Sequence, residues 1–477
     1  MDKSSAVINQ TKLRTGSALF LFATFFYGVF AVSAFSDDYP GLVDPWGIAM
    51  HATKDARPIQ GFGLLLFFSV ANSVENLWIL RLVGLIGLIL LSDSINRRLL
   101  KAKGGGWIVF ASTIAFTSIS FQFFTHWAGA FMFPWVALLS LAGLTCWAKE
   151  SKVSKMIGIV FLLLSLMTYP LLSFFVFSIG FVEWYFTDFN FSNYIAKLKS
   201  TILYIGTGSA VLFFSIALFR VFNPSVLNSR VDFVSYSEIP RKIVWFISRP
   251  VALGFRPYFL TSPTLSQLLL SALPILVLLL MFALRKTNFN LMDTGKLLLA
   301  LAATIVFSLT PLLFVGQDQI DFRLVGAVKW LIETLLIGTL FEFLSTLFKK
   351  RRKAISGVLA GVLAFLALLN VNHVFETNFK THYVQGISFF KKSLTKCNLA
   401  ELQTGILIVS RTKAWPSRPL VGVLSQTTDL ASEWVPVNSM KLYLSSQANE
   451  NFQVNLESKI PKGFKGCIVR LDDFPYQ

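Results

Sequence analysis

Charge is what this chain has least of. Only 14% of its 477 residues are Asp, Glu, Lys or Arg, while 54% are hydrophobic and 48 are phenylalanine. A soluble domain of this size is excluded, because it would need far more polar surface. Cysteine is held to three residues and histidine to four, at positions 51, 126, 373 and 382. No HExxH, no CxxC and no carboxylate-rich loop spaces ligands for a metal, so no metal is expected. A P-loop, a GxGxxG after a strand and a GxSxG elbow are also missing, and neither nucleotide chemistry nor a cofactor has visible support. Sequence repeats and low-complexity segments are not evident.

What is present is a series of apolar runs of about 20 residues, the length that crosses a bilayer as a helix. Mean hydropathy is +0.62. The runs fall at 16–35, 74–92, 106–123, 127–147, 155–169, 171–186, 201–219, 265–284, 297–315, 326–348 and 354–372. They predict a polytopic α-helical membrane protein with about 11 spans. Residues 59–73 are apolar but short, and read as a re-entrant or interfacial helix. The first run follows Lys12 and Arg14 and ends in Ala31-Val32-Ser33-Ala34, which resembles a cleavage site. Its apolar stretch exceeds a signal-peptide core of about 7–15 residues, so it is read as an uncleaved helix.

Lysine and arginine set the orientation. With the N-terminus inside, cytoplasmic stretches carry Lys3, Lys12 and Arg14; Arg97, Arg98, Lys101 and Lys103; Lys149, Lys152 and Lys155; Lys197 and Lys199; Arg285, Lys286 and Lys296; and the run Lys349 to Lys353. The opposite loops near 125 and 170 carry none, and 316–325 carries only Arg323. This is the positive-inside pattern, and it accounts for much of the net charge of +18 without nucleic acid.

An odd number of spans places the C-terminus outside. Residues 1–372 then form the transmembrane domain, with a first external loop at 36–73, and residues 373–477 form an extracytoplasmic domain. There the pattern changes to short β-like runs, "GILIVSRTKAWPSRPLVGVL" and "KGCIVRLDDF", which predict a small α/β domain. Cys397 and Cys467 both fall in it, in a compartment where disulfides persist, and are expected to pair. Cys146 lies in a membrane segment as a small core residue.

The first external loop carries the chemistry. "FSDDYPGLVDPWGIAMHATKDARPI", residues 35–59, sets Asp37, Asp38, Asp44 and Asp55 beside the first span. Asp44 and Asp55 suit a solvated loop. Adjacent carboxylates at the hydrocarbon edge repel each other and lose solvation, so Asp37 and Asp38 point to function. Arg57 offers a fork that fits phosphate oxygens, and Pro58 starts the short apolar helix, whose N-terminus would also face an anion. A second loop, 314–330, places Asp318, Asp321, Arg323 and Lys329 at the same external face. Tyr39, Asp44, Trp46, His51, Asp55, Asp318 and Asp321 are candidate substrate contacts. A third stretch, 238–259, alternates Arg241, Lys242, Arg249 and Arg256 with bulky apolar groups, as in a helix lying at the interface.

Asp37-Asp38-Tyr39 outside the first helix, followed by Arg57-Pro58 opening a short apolar helix, resembles bacterial O-antigen glucosyltransferases of the serotype-converting type. These belong to the integral-membrane GT-C superfamily. The similarity extends in architecture to the many helices and to the external C-terminal domain with its "ILIVSRTKAWP" strand. That family often has Gly-Arg-Pro where this chain has Ala56-Arg57-Pro58, a departure that bears on the local turn. The resemblance implies transfer of a hexose, usually glucose, from undecaprenyl phosphate to a surface polysaccharide on the periplasmic side of the inner membrane, with inversion. It implies Asp37 as base, with Asp38 orienting the acceptor or holding an arginine. Arg57, Arg323 and Lys329 would meet the donor phosphate. The rival readings are a polysaccharide polymerase, with its basic external loops, and a lipid-linked sugar flippase or transporter, for which Glu333 and Glu342 are the midmembrane candidates.

Overall fold

The computed structural model describes residues 3–101, 105–187, 189–222, 234–255, 291–315, 322–348, 352–409, 434–447, 453–461 and 463–473. Among them, seven helices are long and apolar enough to cross a membrane: Gln10–Phe30, Val74–Leu99, Ala128–Trp147, Pro170–Thr187, Phe191–Phe222, Met292–Phe314 and Ala354–Phe375. An eighth crossing exists if the bent pair Gly106–Ala115 and Ile119–His126 is one span. Helix is the expected form, because lipid offers no partner to an exposed backbone N–H or C=O.

Among the described residues, seven or eight of the 11 expected spans are found, and three expected runs are not among them. Lys152–Thr168 has 17 residues. Gly326–Leu347 carries Lys329, Glu333 and Glu342. The run at 265–284 lies outside the described residues. The short apolar segment is a 13-residue helix, Pro58–Val70, with Pro58 in its first turn. Tyr169 alone separates Lys152–Thr168 from Pro170–Ser173, because Pro170 cannot continue the helix before it.

Packing follows residue size. Phe133–Trp147 and Lys152–Thr168 approach where Gly143 faces Gly158, and a Cβ on either would lie 2.7 Å from the other's carbonyl oxygen. The bent pair turns by 64° at Thr117-Ser118. Side chains take up the backbone groups freed there: Gln122 Nε2 donates to the Thr117 carbonyl at 2.8 Å, and Thr117 Oγ1 to that of Ile114 at 2.7 Å.

After the last span the chain continues as helix without interruption. Arg352–Phe375 passes through a π turn, Glu376–Lys380, into Thr381–Leu394. Then comes a three-stranded parallel sheet in the order β2-β1-β3, with β1 at Ile406–Val409, β2 at Val454–Glu457 and β3 at Cys467–Arg470. Helix Trp434–Gln447 lies in the crossover between β1 and β2, as parallel pairing requires. Cys397 and Cys467 are joined, with Sγ atoms 2.09 Å apart. This C-terminal region shares one apolar core with the first loop: Tyr39, Ala52, Leu64 and Phe68 cluster with Phe390, Ile406, Met440 and Val469. Helix Asp38–Val43 packs on Trp434–Gln447. The loop and the sheet therefore sit on the same face of the bundle.

Candidate functional site

The first loop folds into three helices, Asp38–Val43, Pro45–Lys54 and Pro58–Val70. Its first end is fixed by Asp38, which is fully buried. One carboxylate oxygen accepts from the Phe35 N–H at 3.0 Å, and the other from the Gly129 N–H at 2.7 Å. Asp38 thus ties the exit of the first span to the turn before Phe133–Trp147. Burial pushes its carboxyl up to about 7, against the pull of Arg81 and of the two backbone donors.

Arg81 is the cation behind it, and it too is fully buried. Nη1 donates to the Ala31 carbonyl at 2.7 Å, and Nη2 donates to the Ser33 carbonyl. These carbonyls follow the C-terminus of Lys3–Phe30, where backbone oxygens lack helical partners and a cation is favourable. His126 stands in a cage of Phe25, Phe375 and Phe379, with ring centroids 5.0 to 5.5 Å away. Both of its nitrogens lack hydrogen-bond partners.

Asp37 has a different environment. It is half-buried at the N-cap of Asp38–Val43, and its side chain makes no capping bond there. Gly129 lies so close that a Cβ on it would be 3.5 Å from the Asp37 Cβ. Ser36, just before it, has φ of +47°. Of the two adjacent carboxylates, Asp38 is fully buried with both oxygens accepting from backbone, whereas Asp37 is only partly buried.

The loop's second end holds Arg57. Helix Pro45–Lys54 closes in a Schellman turn: the Ala56 N–H donates to the Thr53 carbonyl and the Arg57 N–H to that of Ala52, both at 3.0 Å. The residue between Asp55 and Arg57 must then be left-handed, and Ala56 has φ of +58°. Glycine favours that conformation, so the alanine that departs from the Gly-Arg-Pro pattern sits where the geometry asks for glycine. Arg57 Nη2 lies 2.5 Å from Asp55 Oδ2, and His51 Nε2 lies 3.7 Å from the same oxygen. The Arg57 guanidinium sits 5.5 Å over the Tyr169 ring, which in turn lies 4.3 Å from the Phe133 ring. Both ends of the loop therefore meet the same neighbourhood, Asp38 at Gly129 and Arg57 through Tyr169 at Phe133.

The other sequence candidates have plainer surroundings. Asp44 caps Pro45–Lys54 by accepting from the Gly47 N–H at 2.9 Å. Tyr39 is buried and its hydroxyl donates to the Ala34 carbonyl at 3.2 Å. Trp46 is 62% exposed. Lys329 is buried and lies 3.3 Å from Glu333 on its own helix. It follows a turn, Phe322–Val325, that packs on Ile119–His126, the helix leading to Gly129. Asp318 and Asp321 lie outside the described residues, as does the side chain of Arg323.

Arg81 and His126 were not singled out as site residues by their sequence. For Arg81 a signal existed, a lone arginine in the apolar run Trp78–Leu91, since such a residue faces the bundle interior and marks function. Among the described residues, no group of three or more His, Cys, Asp or Glu could hold a metal. Comparison of the chain with protein-family models, curated proteins and solved structures gave no match.

Proposed function

We propose that this chain is an integral-membrane glycosyltransferase that moves a hexose, glucose first among candidates, from undecaprenyl phosphate to a surface polysaccharide such as O-antigen. The reaction takes place on the periplasmic side of the bacterial inner membrane, where the C-terminal α/β domain also lies. The observation that carries this reading is the unequal carboxylate pair at the exit of the first span. Asp38 is held by two backbone N–H groups, and Asp37 stands beside it half-exposed.

Asp37 takes the proton of an acceptor hydroxyl as that oxygen attacks the anomeric carbon. The bond from that carbon to the phosphate oxygen breaks from the opposite face, which inverts the centre and releases polyprenyl phosphate. Arg57 is set over Tyr169 with part of its fork committed to Asp55, and its remaining donors meet the phosphate together with Arg323 and Lys329. Purified protein in lipid is given labelled polyprenyl-phosphate glucose and acceptor glycan. Label appearing in the glycan supports the proposal, and an unlabelled glycan with active donor present rejects it.

One observation favours a lipid-linked sugar flippase instead. The bent pair Gly106–Ala115 and Ile119–His126 buries Thr113, Thr117, Ser118, Ser120, Thr125 and His126 around a broken helix, a design used for solute paths. Movement of labelled donor between leaflets without transfer would select that reading.

A further inference from the structure

Residues 236–255 stand apart from the carboxylate loop and are used by neither reading above. Between the spans Phe191–Phe222 and Met292–Phe314, the chain forms helix Ile239–Phe246, a π turn at Ile247–Val251 that contains Pro250, and a last turn, Ala252–Phe255. Three kinds of surface run along it. Lys242, Phe246, Pro250 and Leu253 are buried against the protein. Ile243, Val244 and Ile247 are 48%, 67% and 59% exposed, an apolar stripe left open among the described residues. Arg241, Ser248 and Arg249 are exposed and polar.

The position of this helix fixes its surroundings. Its lead-in residue Val234 donates its N–H to the carbonyl of Phe314, the last residue of a span, at 3.0 Å. Ile239–Phe246 packs on Thr310–Phe314. The helix therefore lies at the level where a span leaves the hydrocarbon. At its far end, Gly254 abuts Val328, next to Lys329.

We propose that Ile239–Phe255 is a docking surface for the bilayer itself. Ile243, Val244 and Ile247 insert among acyl chains, while Arg241 and Arg249 engage the phosphates of anionic phospholipid. An apolar stripe beside a basic one, at the end of a span, is the arrangement of helices that lie in the interface plane. Each arginine held near an anionic surface enriches such lipid locally by about fivefold. This assignment is independent of the transfer reaction.

The full chain, with its disulfide intact and Cys146→Ser, is reconstituted in nanodiscs carrying Val244→Cys, Ile247→Cys or Ser248→Cys, each labelled with bimane. The expected result is strong quenching at 244 and 247 by acyl-brominated lipid, with iodide in the water quenching chiefly at 248. Iodide quenching 244 as strongly as 248 would overturn the proposal, because the stripe would then be in water. Quenching of 244 by neither agent would also overturn it, since protein would then cover the stripe. At equal mole fraction, brominated phosphatidylglycerol should quench 244 several-fold more than brominated phosphatidylcholine. Arg241→Gln combined with Arg249→Gln should abolish that preference, and a preference that survives the double substitution removes the assigned role of the arginines.

Discussion

At residues 31–38 the first loop is held by charges that are all buried, and at residues 51–58 by a buried carboxylate whose basic partners are partly exposed. At the first end, Arg81 and Asp38 are both fully buried, and each spends its hydrogen bonds on backbone. At the second, Arg57 keeps 21% of its side chain exposed and shares Asp55 with His51. A buried ion with all its bonds made to backbone has one geometry available, and removing its counter-charge is costly. The exposed part of the Arg57 fork can take a further partner at little cost, because water reaches it, while the Asp55 carboxylate beneath it stays buried. The first end therefore suits the holding of a reactive group in place, and the second suits the admission of an anion.

The largest effect that would test this contrast is kinetic. Asp37→Asn should lower transfer by about 10²–10⁴-fold, since an amide cannot take the acceptor's proton. Its thermal unfolding should stay near wild type. Asp38→Asn should instead cost roughly 1–3 kcal/mol of stability, because the amide nitrogen opposes a backbone N–H. If both variants lose activity alike at equal stability, the division of labour between the two carboxylates fails.

A second comparison is energetic. Arg81→Leu strands the Ala31 and Ser33 carbonyls and leaves Asp38 without its cation, at a cost of about 3–5 kcal/mol. Arg57→Leu takes a partly exposed cation from a buried carboxylate, and its cost should be smaller, about 1–3 kcal/mol. Denaturant titration in detergent, followed by intrinsic tryptophan fluorescence, measures both. Equal costs would mean that the two ends are anchored alike.

The smallest expected effect concerns backbone strain. Ala56→Gly relieves a left-handed alanine and should stabilise by about 1 kcal/mol, with turnover unchanged. A lower melting temperature for Ala56→Gly would show that the extra freedom of glycine in the unfolded chain outweighs that relief.

Much of the membrane architecture was legible because lipid imposes one rule on every segment. Apolar runs of sufficient length become helices, and Pro58 marks a helix start in the structure as it does in the sequence. The limits of that legibility are equally physical. A 17-residue segment such as Lys152–Thr168 sits at the margin of spanning length, and counting apolar residues cannot decide it. In the site, Asp37, Asp38 and Arg57 stood out because charge is conspicuous at a hydrocarbon edge. Their partners did not, since Gly129 is 91 residues from Asp38, and neither a glycine N–H nor a tyrosine ring carries a mark of its role. Arg81 was masked by its neighbours, whose hydrophobicity dominates any window drawn around it.

The unbroken helix that leaves the membrane at Phe375 has a mechanical consequence. The 5-residue π turn and the 14-residue helix after it form a cantilever of roughly 28 Å, at about 1.5 Å per residue. Near its base, Lys380 bonds to Tyr27 at 2.6 Å and to Glu376 at 2.9 Å, bracing the cantilever against the first span. The disulfide at Cys397 clamps its tip to β3. A tilt of the last span by about 10° would sweep that tip by about 5 Å, given this length. Because helix Trp434–Gln447 of the same region rests on Asp38–Val43, strain in the surrounding bilayer would be delivered as displacement to the residues beside Asp37.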